Sequence, residues 1–140
     1  MGVASEENAV KYMLMMTTAP TGHPPITEWE PADVKAHLEF MQDYGRSLVE
    51  SGELVTGEGL AMPDDAKIVT ARDGGAPAIT DGPFPESKEF LAGYWIVDVD
   101  SAERAIEIAA GASASPGPGG VKLNQPIEVR QVMGAPEVDV

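Results

Sequence analysis

His37 and Asp81 are the residues of this chain whose type and setting could move a proton. An imidazole titrates near neutrality, so at the edge of a pocket it can act as a general base or hydrogen-bonding group. His37 lies in a stretch where Val34, Leu38, Met41, Leu48 and Val49 recur at helical spacing. At about 100° per residue it falls about 60° from the middle of that apolar stripe, on the flank shared with Phe40 and Tyr44. It is either a packed, hydrogen-bonded histidine or a base facing a pocket. Asp81 opens the run Asp81-Gly82-Pro83-Phe84, which continues as Pro85-Glu86-Ser87-Lys88-Glu89. Gly82 frees the backbone there, and Pro83 and Pro85 fix φ, so a rigid turn is joined to many charges. This loop is expected to border the functional site. Asp81 is either an acid of that site or an Asx-turn acceptor holding the Gly82-Pro83 corner. Phe84 is either a plug on the rim of the fold or a surface on which a ligand stacks. His23, in the Pro-rich stretch Ala19 to Ile26, is either a solvated loop residue or part of a lid.

Several chemistries are excluded. The chain has no Cys, which removes thiolate nucleophiles, disulfides and thiolate zinc sites. Two His argue against a multi-histidine metal centre, and no metal is expected. There is no Gly-x-Ser-x-Gly motif. Gly57-x-Gly59 and Gly117-x-Gly119-Gly120 lack the strand-to-helix setting of a phosphate loop, so no cofactor is expected. Nine basic residues against 23 acidic ones give a net charge of -14, the wrong sign for nucleic acid or an anionic membrane surface. No apolar run reaches the roughly 20 residues of a membrane span. Met1 to Asn8 is polar and acidic, unlike a signal peptide. A soluble cytoplasmic protein is expected.

The elements that must position these residues can be read in order. The 140 residues suit one domain, expected over 10–133 between short tails at 1–9 and 134–140. Val10 to Thr17 is apolar on both alternating faces, as a central strand is. A helix follows, started by Pro31 or by a Thr27/Glu30 capping box and closed by Gly52. Glu53 to Gly59 is a short strand whose glycines suggest a bulge or an edge. Lys67 to Arg72 and Pro77 to Thr80 flank Asp73-Gly74-Gly75-Ala76 as a hairpin. Glu86 to Ala92 could make one or two helical turns, broken by Gly93. Tyr94 to Val99 is a second doubly apolar strand. Asp100-Ser101 caps a helix over Ala102 to Ala110, with Ala105, Ile106, Ala109 and Ala110 inward. Gly111 to Gly120 is a Pro/Gly-rich loop, and Pro126 to Met133 is the last strand.

With the hairpin set aside, the order is βαββαβ, the ferredoxin-like split unit of an α+β fold. Its first and third strands are central, and those are the two that read as doubly apolar. Both helices then cover one sheet face. The other carries Tyr12, Met13 or Leu14 and Tyr94 or Trp95 toward water, which marks an interface or a ligand cleft. A homodimer is expected, with two sheets closing a barrel-like cavity. Tyr12, Leu14, Pro83 and Phe84 are the candidate substrate-contacting residues.

Between Lys11 and Met133 the chain resembles the YCII-related proteins, in particular the subgroup named for its DGPF motif. The resemblance is carried by Lys11-Tyr12-Met13-Leu14-Met15, Gly52-Glu53-Leu54, Gly57-Glu58-Gly59-Leu60, Thr80-Asp81-Gly82-Pro83-Phe84, Glu86-Ser87-Lys88-Glu89, Gly93-Tyr94-Trp95-Ile96-Val97 and Ile127-Glu128-Val129-Arg130. It implies a dimeric α+β barrel. His37 matches the helix histidine of such proteins in type and approximate place. By the same resemblance Asp81 is its candidate acid partner, although plain members place their acid after the second helix. Such a pair suits proton abstraction beside a carbonyl, as in an isomerase, lyase or dehalogenase acting without a cofactor on a small apolar molecule. The alternative is a non-catalytic dimer that binds a small molecule or regulates a partner.

Overall fold

The computed structural model describes residues 10–17, 22–82 and 90–134. β1 (Val10–Thr17) is flanked on both sides, by β5 (Leu91–Val99) and by β6 (Ile127–Gln131), each antiparallel to it. β2 (Leu54–Gly59) pairs antiparallel with the far side of β5, so the sheet order is β2-β5-β1-β6. The two doubly apolar strands are thus the central ones, as expected. β2 is an edge strand and also carries a register shift between Leu54 and Thr56. β3 (Lys67–Thr70) and β4 (Ala78–Asp81) form a separate two-stranded ribbon inserted between β2 and β5. With α1 (Pro31–Glu50) and α2 (Ala102–Ser113) the result is a mixed α+β fold, compatible with the ferredoxin-like βαββαβ unit.

α1 begins with Pro31 at its first turn, and the Glu30 side chain makes no capping bond, so the proline rather than a capping box starts it. Gly52 follows its C-terminus at φ +81°, a conformation glycine adopts without strain. α2 begins where the Ser101 hydroxyl accepts the Arg104 N–H at 3.2 Å. It runs on to Ser113, beyond the expected end at Ala110. Gly111 is therefore helical, and the rest of the Pro/Gly-rich stretch folds back on itself: Pro116 bridges Lys122, and Leu123 is buried. β5 starts at Leu91, so Leu91 to Gly93 is strand rather than the end of a helical turn. The rest of that expected helix lies mostly in 83–89, outside the described residues.

The core sits between the helices and one face of the sheet. Leu14, Trp95, Val97 and Val99 meet Leu48 of α1 and Ala105, Ile108, Ala109 and Ala112 of α2. Full burial of Leu14, Val97 and Ile108 stabilises the fold by roughly 1.5–3 kcal/mol each. Both helices are rotated from the expected stripes. Leu38 and Val49 of α1 are half exposed or more, and Ile106 of α2 is 58% exposed. The inward line of α1 is His37, Met41, Tyr44 and Leu48, because Tyr44 anchors it. Its ring tilts on Trp95 at 5.7 Å, and its hydroxyl donates to the Ile108 carbonyl at 2.9 Å. Gly111 makes that approach possible, since a Cβ there would overlap the Tyr44 phenol.

Residues paired across antiparallel strands share a face. On the side away from the helices, Met13 lies between Ile96 and Arg130, and Met15 between Tyr94 and Glu128. β2 adds Thr56 beside Ile96 and Glu58 beside Tyr94, and Lys11 faces Asp98.

Candidate functional site

His37 is half-buried on the inward line of α1, two turns from the helix start. Its Nδ1 lies 3.2 Å from the Pro116 carbonyl oxygen, in the folded-back segment after α2. A carbonyl only accepts, so Nδ1 carries the proton and the neutral ring keeps its lone pair on Nε2. Burial holds the His37 pKa below its ordinary value, and the bond to Pro116 opposes that only in part. Trp29 meets the imidazole edge-on at 5.6 Å between ring centroids, and its own Nε1–H donates to the Pro24 carbonyl at 2.8 Å. Trp29 thus forms a wall for His37 and is itself held by Pro24 of the Pro-rich segment. Periodicity and motifs do not mark Trp29. The available signal was an aromatic residue just before the Glu30-Pro31 helix start, where apolar residues commonly pack back onto the first turns.

Asp81 is elsewhere. It ends β4 on the exposed ribbon, where the Lys67 ammonium donates to its carboxylate at 2.6 Å. That bond and the Lys67 charge hold its pKa low, and the side chain stays 82% exposed. His37 and Asp81 make no hydrogen bond or ion pair with each other, so the expected His-Asp pair is not brought together within the chain. The reason is topological: Asp81 belongs to a ribbon that makes no extensive contact with α1 among the described residues. Gly82 has no positive φ; a Cβ there would press on the Ile68 side chain at 3.0 Å. Of the four candidate contact residues, Leu14 is fully buried in the core and Tyr12 packs half-buried against it, both toward the helices. Strand alternation allows no other result once Met13 and Met15 take the opposite face. Pro83 and Phe84 lie outside the described residues.

Three surfaces remain. The first is the open sheet face, where Met13, Met15, Tyr94 and Ile96 form an apolar block of half-buried side chains outside the helix-side core. Asp98, on the same face, holds a buried Oδ1 with no donor among the described residues. The second is a cleft of about 500 Å³ lined by Ser51, Glu53, Asp98, Ser101 and Arg104. Here the Arg104 guanidinium grips Glu53 with two bonds, Nε to Oε2 at 2.7 Å and Nη2 to Oε1 at 2.9 Å. That grip, helped by Ser51, pulls the Glu53 pKa down to about 2 and raises that of Arg104. The pair is a tie between the two strand-helix-strand halves and leaves little free charge for a ligand. The third is an apolar cleft of about 240 Å³ at the base of the ribbon, between Leu60, Met62, Pro63, Phe90 and Leu91. Among the described residues no cluster of His, Asp and Glu could hold a metal, and no helix is long and apolar enough to cross a membrane.

A protein of Rhizobium meliloti (strain 1021), described as "Uncharacterized protein R00369", is 28% identical to this chain over 96 residues, covering 68% of the chain and 77% of that protein. Residues 10–118, from β1 through the second helix to the Pro116 fold-back that meets His37, match the YCII-related domain, and the chain belongs to that family.

Proposed function

We propose that this protein works as a cytoplasmic homodimer of the DGPF type, in which two open sheet faces meet, close a barrel and hold a small, largely apolar molecule between them without a cofactor. One observation carries this reading: Met13, Met15, Tyr94 and Ile96 sit together on a sheet face that the helices leave uncovered. Apolar surface of that kind is stabilised by cover. The unpaired Asp98 oxygen supports it, since a second copy or a ligand can supply the missing donor. Light scattering with size-exclusion chromatography, together with binding of an apolar fluorescent dye, tests the proposal. The wild-type chain is expected to run as a dimer and bind the dye, and Met13→Lys to run as a monomer and lose it. A wild-type chain that stays monomeric at its highest soluble concentration sinks it.

A second reading is favoured by His37. Its Nδ1–H is tied to Pro116 and its ring is neutral near pH 7, so Nε2 is set as a base. Under this reading His37 removes a proton beside a carbonyl on its own, with Asp81 left to Lys67. Screening carbonyl substrates for turnover that disappears in His37→Gln tests it; equal turnover in both proteins rules it out.

A further inference from the structure

The β3–β4 ribbon stands apart from the body of the molecule. Among the described residues its two strands make extensive contact only with each other. A two-stranded hairpin alone in water is at best marginally stable, so cover from elsewhere would stabilise it. Val69 and Ile79 are directly paired, hence on one face, and are 61% and 63% exposed. Arg72, just past β3, has no ion-pair partner among the described residues, in a chain with only nine basic residues. At the same end of the molecule, the open sheet face has an acidic margin. Glu58 and Glu128 flank the row Tyr94 and Met15, and Glu58 too has no ion-pair partner among the described residues. The arm thus offers an apolar pair with a free cation, and the sheet face an apolar row with a free carboxylate. Among the described residues the arm makes no extensive contact with its own sheet.

We propose that the β3–β4 arm is a clasp on a second copy of this chain: Val69 and Ile79 lie along the β2 margin of the partner's sheet face, and Arg72 pairs with Glu58 of the partner subunit. This rests on the dimer reading above, and it adds that the arm, beyond the sheet faces alone, fixes how the two copies are set. Complementary charges at an interface choose register and partner more than they add affinity, which suits a role at the margin.

A charge-reversal cycle read by analytical ultracentrifugation tests it. Arg72→Glu and Glu58→Arg are each expected to weaken dimerisation about tenfold, and the double variant to return to within about threefold of wild type. Both side chains are exposed, so folding should not be at stake. Additive losses in the double variant, with the dimer intact in wild type, overturn the clasp and leave the dimer reading standing. A monomeric wild type overturns both. Because the chain has no cysteine, Val69→Cys provides one thiol for a photo-crosslinker. A cross-link between chains, mapped to the partner's sheet, is expected; a dimer that yields only intrachain products overturns the clasp.

Discussion

His37 shows how one residue's chemistry is set by two neighbours distant in sequence. Its Nδ1 proton goes to Pro116 and its ring edge to Trp29, so burial, not a carboxylate, decides its charge. In an NMR titration its midpoint is expected below 6.5, moving back toward 6.5 in Trp29→Ala as water enters. Because the folded pKa is depressed, His37 favours the folded state above about pH 6.5, and that contribution is lost as pH falls through its lowered midpoint. Glu53 has the same sign in a lower window. Its carboxylate is held at about 2 against an unfolded value of 4.5, so its contribution is complete above about pH 4.5 and gone near pH 2. Arg104→Ala is expected to cost on the order of 1–2 kcal/mol in urea denaturation at neutral pH, the 41% exposure of Arg104 discounting the full shift, with the loss vanishing near pH 2. The sequence showed that His37 was near a buried face, because helical periodicity is local information. It could not show Pro116 as its partner or Lys67 as the partner of Asp81. Those are tertiary choices, and the second is a cross-strand pairing in a hairpin whose register the turn sets.

At the scale of elements, the strands are legible in the sequence and the helix faces less so. β1 and β5 announced themselves because a central strand must be apolar on both sides. The helix faces are ambiguous because each helix offers more apolar residues than it can bury: Leu38 and Val49 compete with Met41 and Leu48, and Ile106 with Ile108. Tyr44 decides the first contest by reaching the Ile108 carbonyl, and only the small residue at Gly111 permits it. Tyr44→Phe should therefore cost about 1 kcal/mol, the worth of a typical hydrogen bond. Gly111→Ala should cost about 1–3 kcal/mol, since its methyl must push the phenol away. If thermal melts show the two changes to be additive, helix rotation is not set by this contact. Gly57 belongs to the same class: its missing side chain is where the Trp95 indole lies.

For the whole molecule, the split-unit topology was legible because alternation, central strands and the turn-rich hairpin all pointed one way. The candidate site was legible only in pieces. The DGPF stretch is conspicuous in its charges and prolines, yet its described part, Asp81 and Gly82, closes an exposed ribbon. Meanwhile the open face is made of Met13, Met15, Tyr94 and Ile96, whose side the register alone fixes. In Ile96→Lys the expected outcome is a folded monomer with a native circular dichroism spectrum; a persisting dimer would place the interface on another surface.

The position of the ribbon has a consequence for chain entropy. β2 and β5 are hydrogen-bonded neighbours, and Leu60 N–H donates to the Ala92 carbonyl at 2.8 Å where the insertion leaves and returns. The insertion is therefore one long closed loop whose ends the sheet already holds together. Closing a loop costs free energy only as the logarithm of its length, so replacing about 30 residues by a four-residue turn should relieve about 2 kcal/mol. The shortened chain should fold as a cooperative unit at least as stable as its parent. The ribbon can thus lengthen, shorten or vanish while the four-stranded sheet keeps its register.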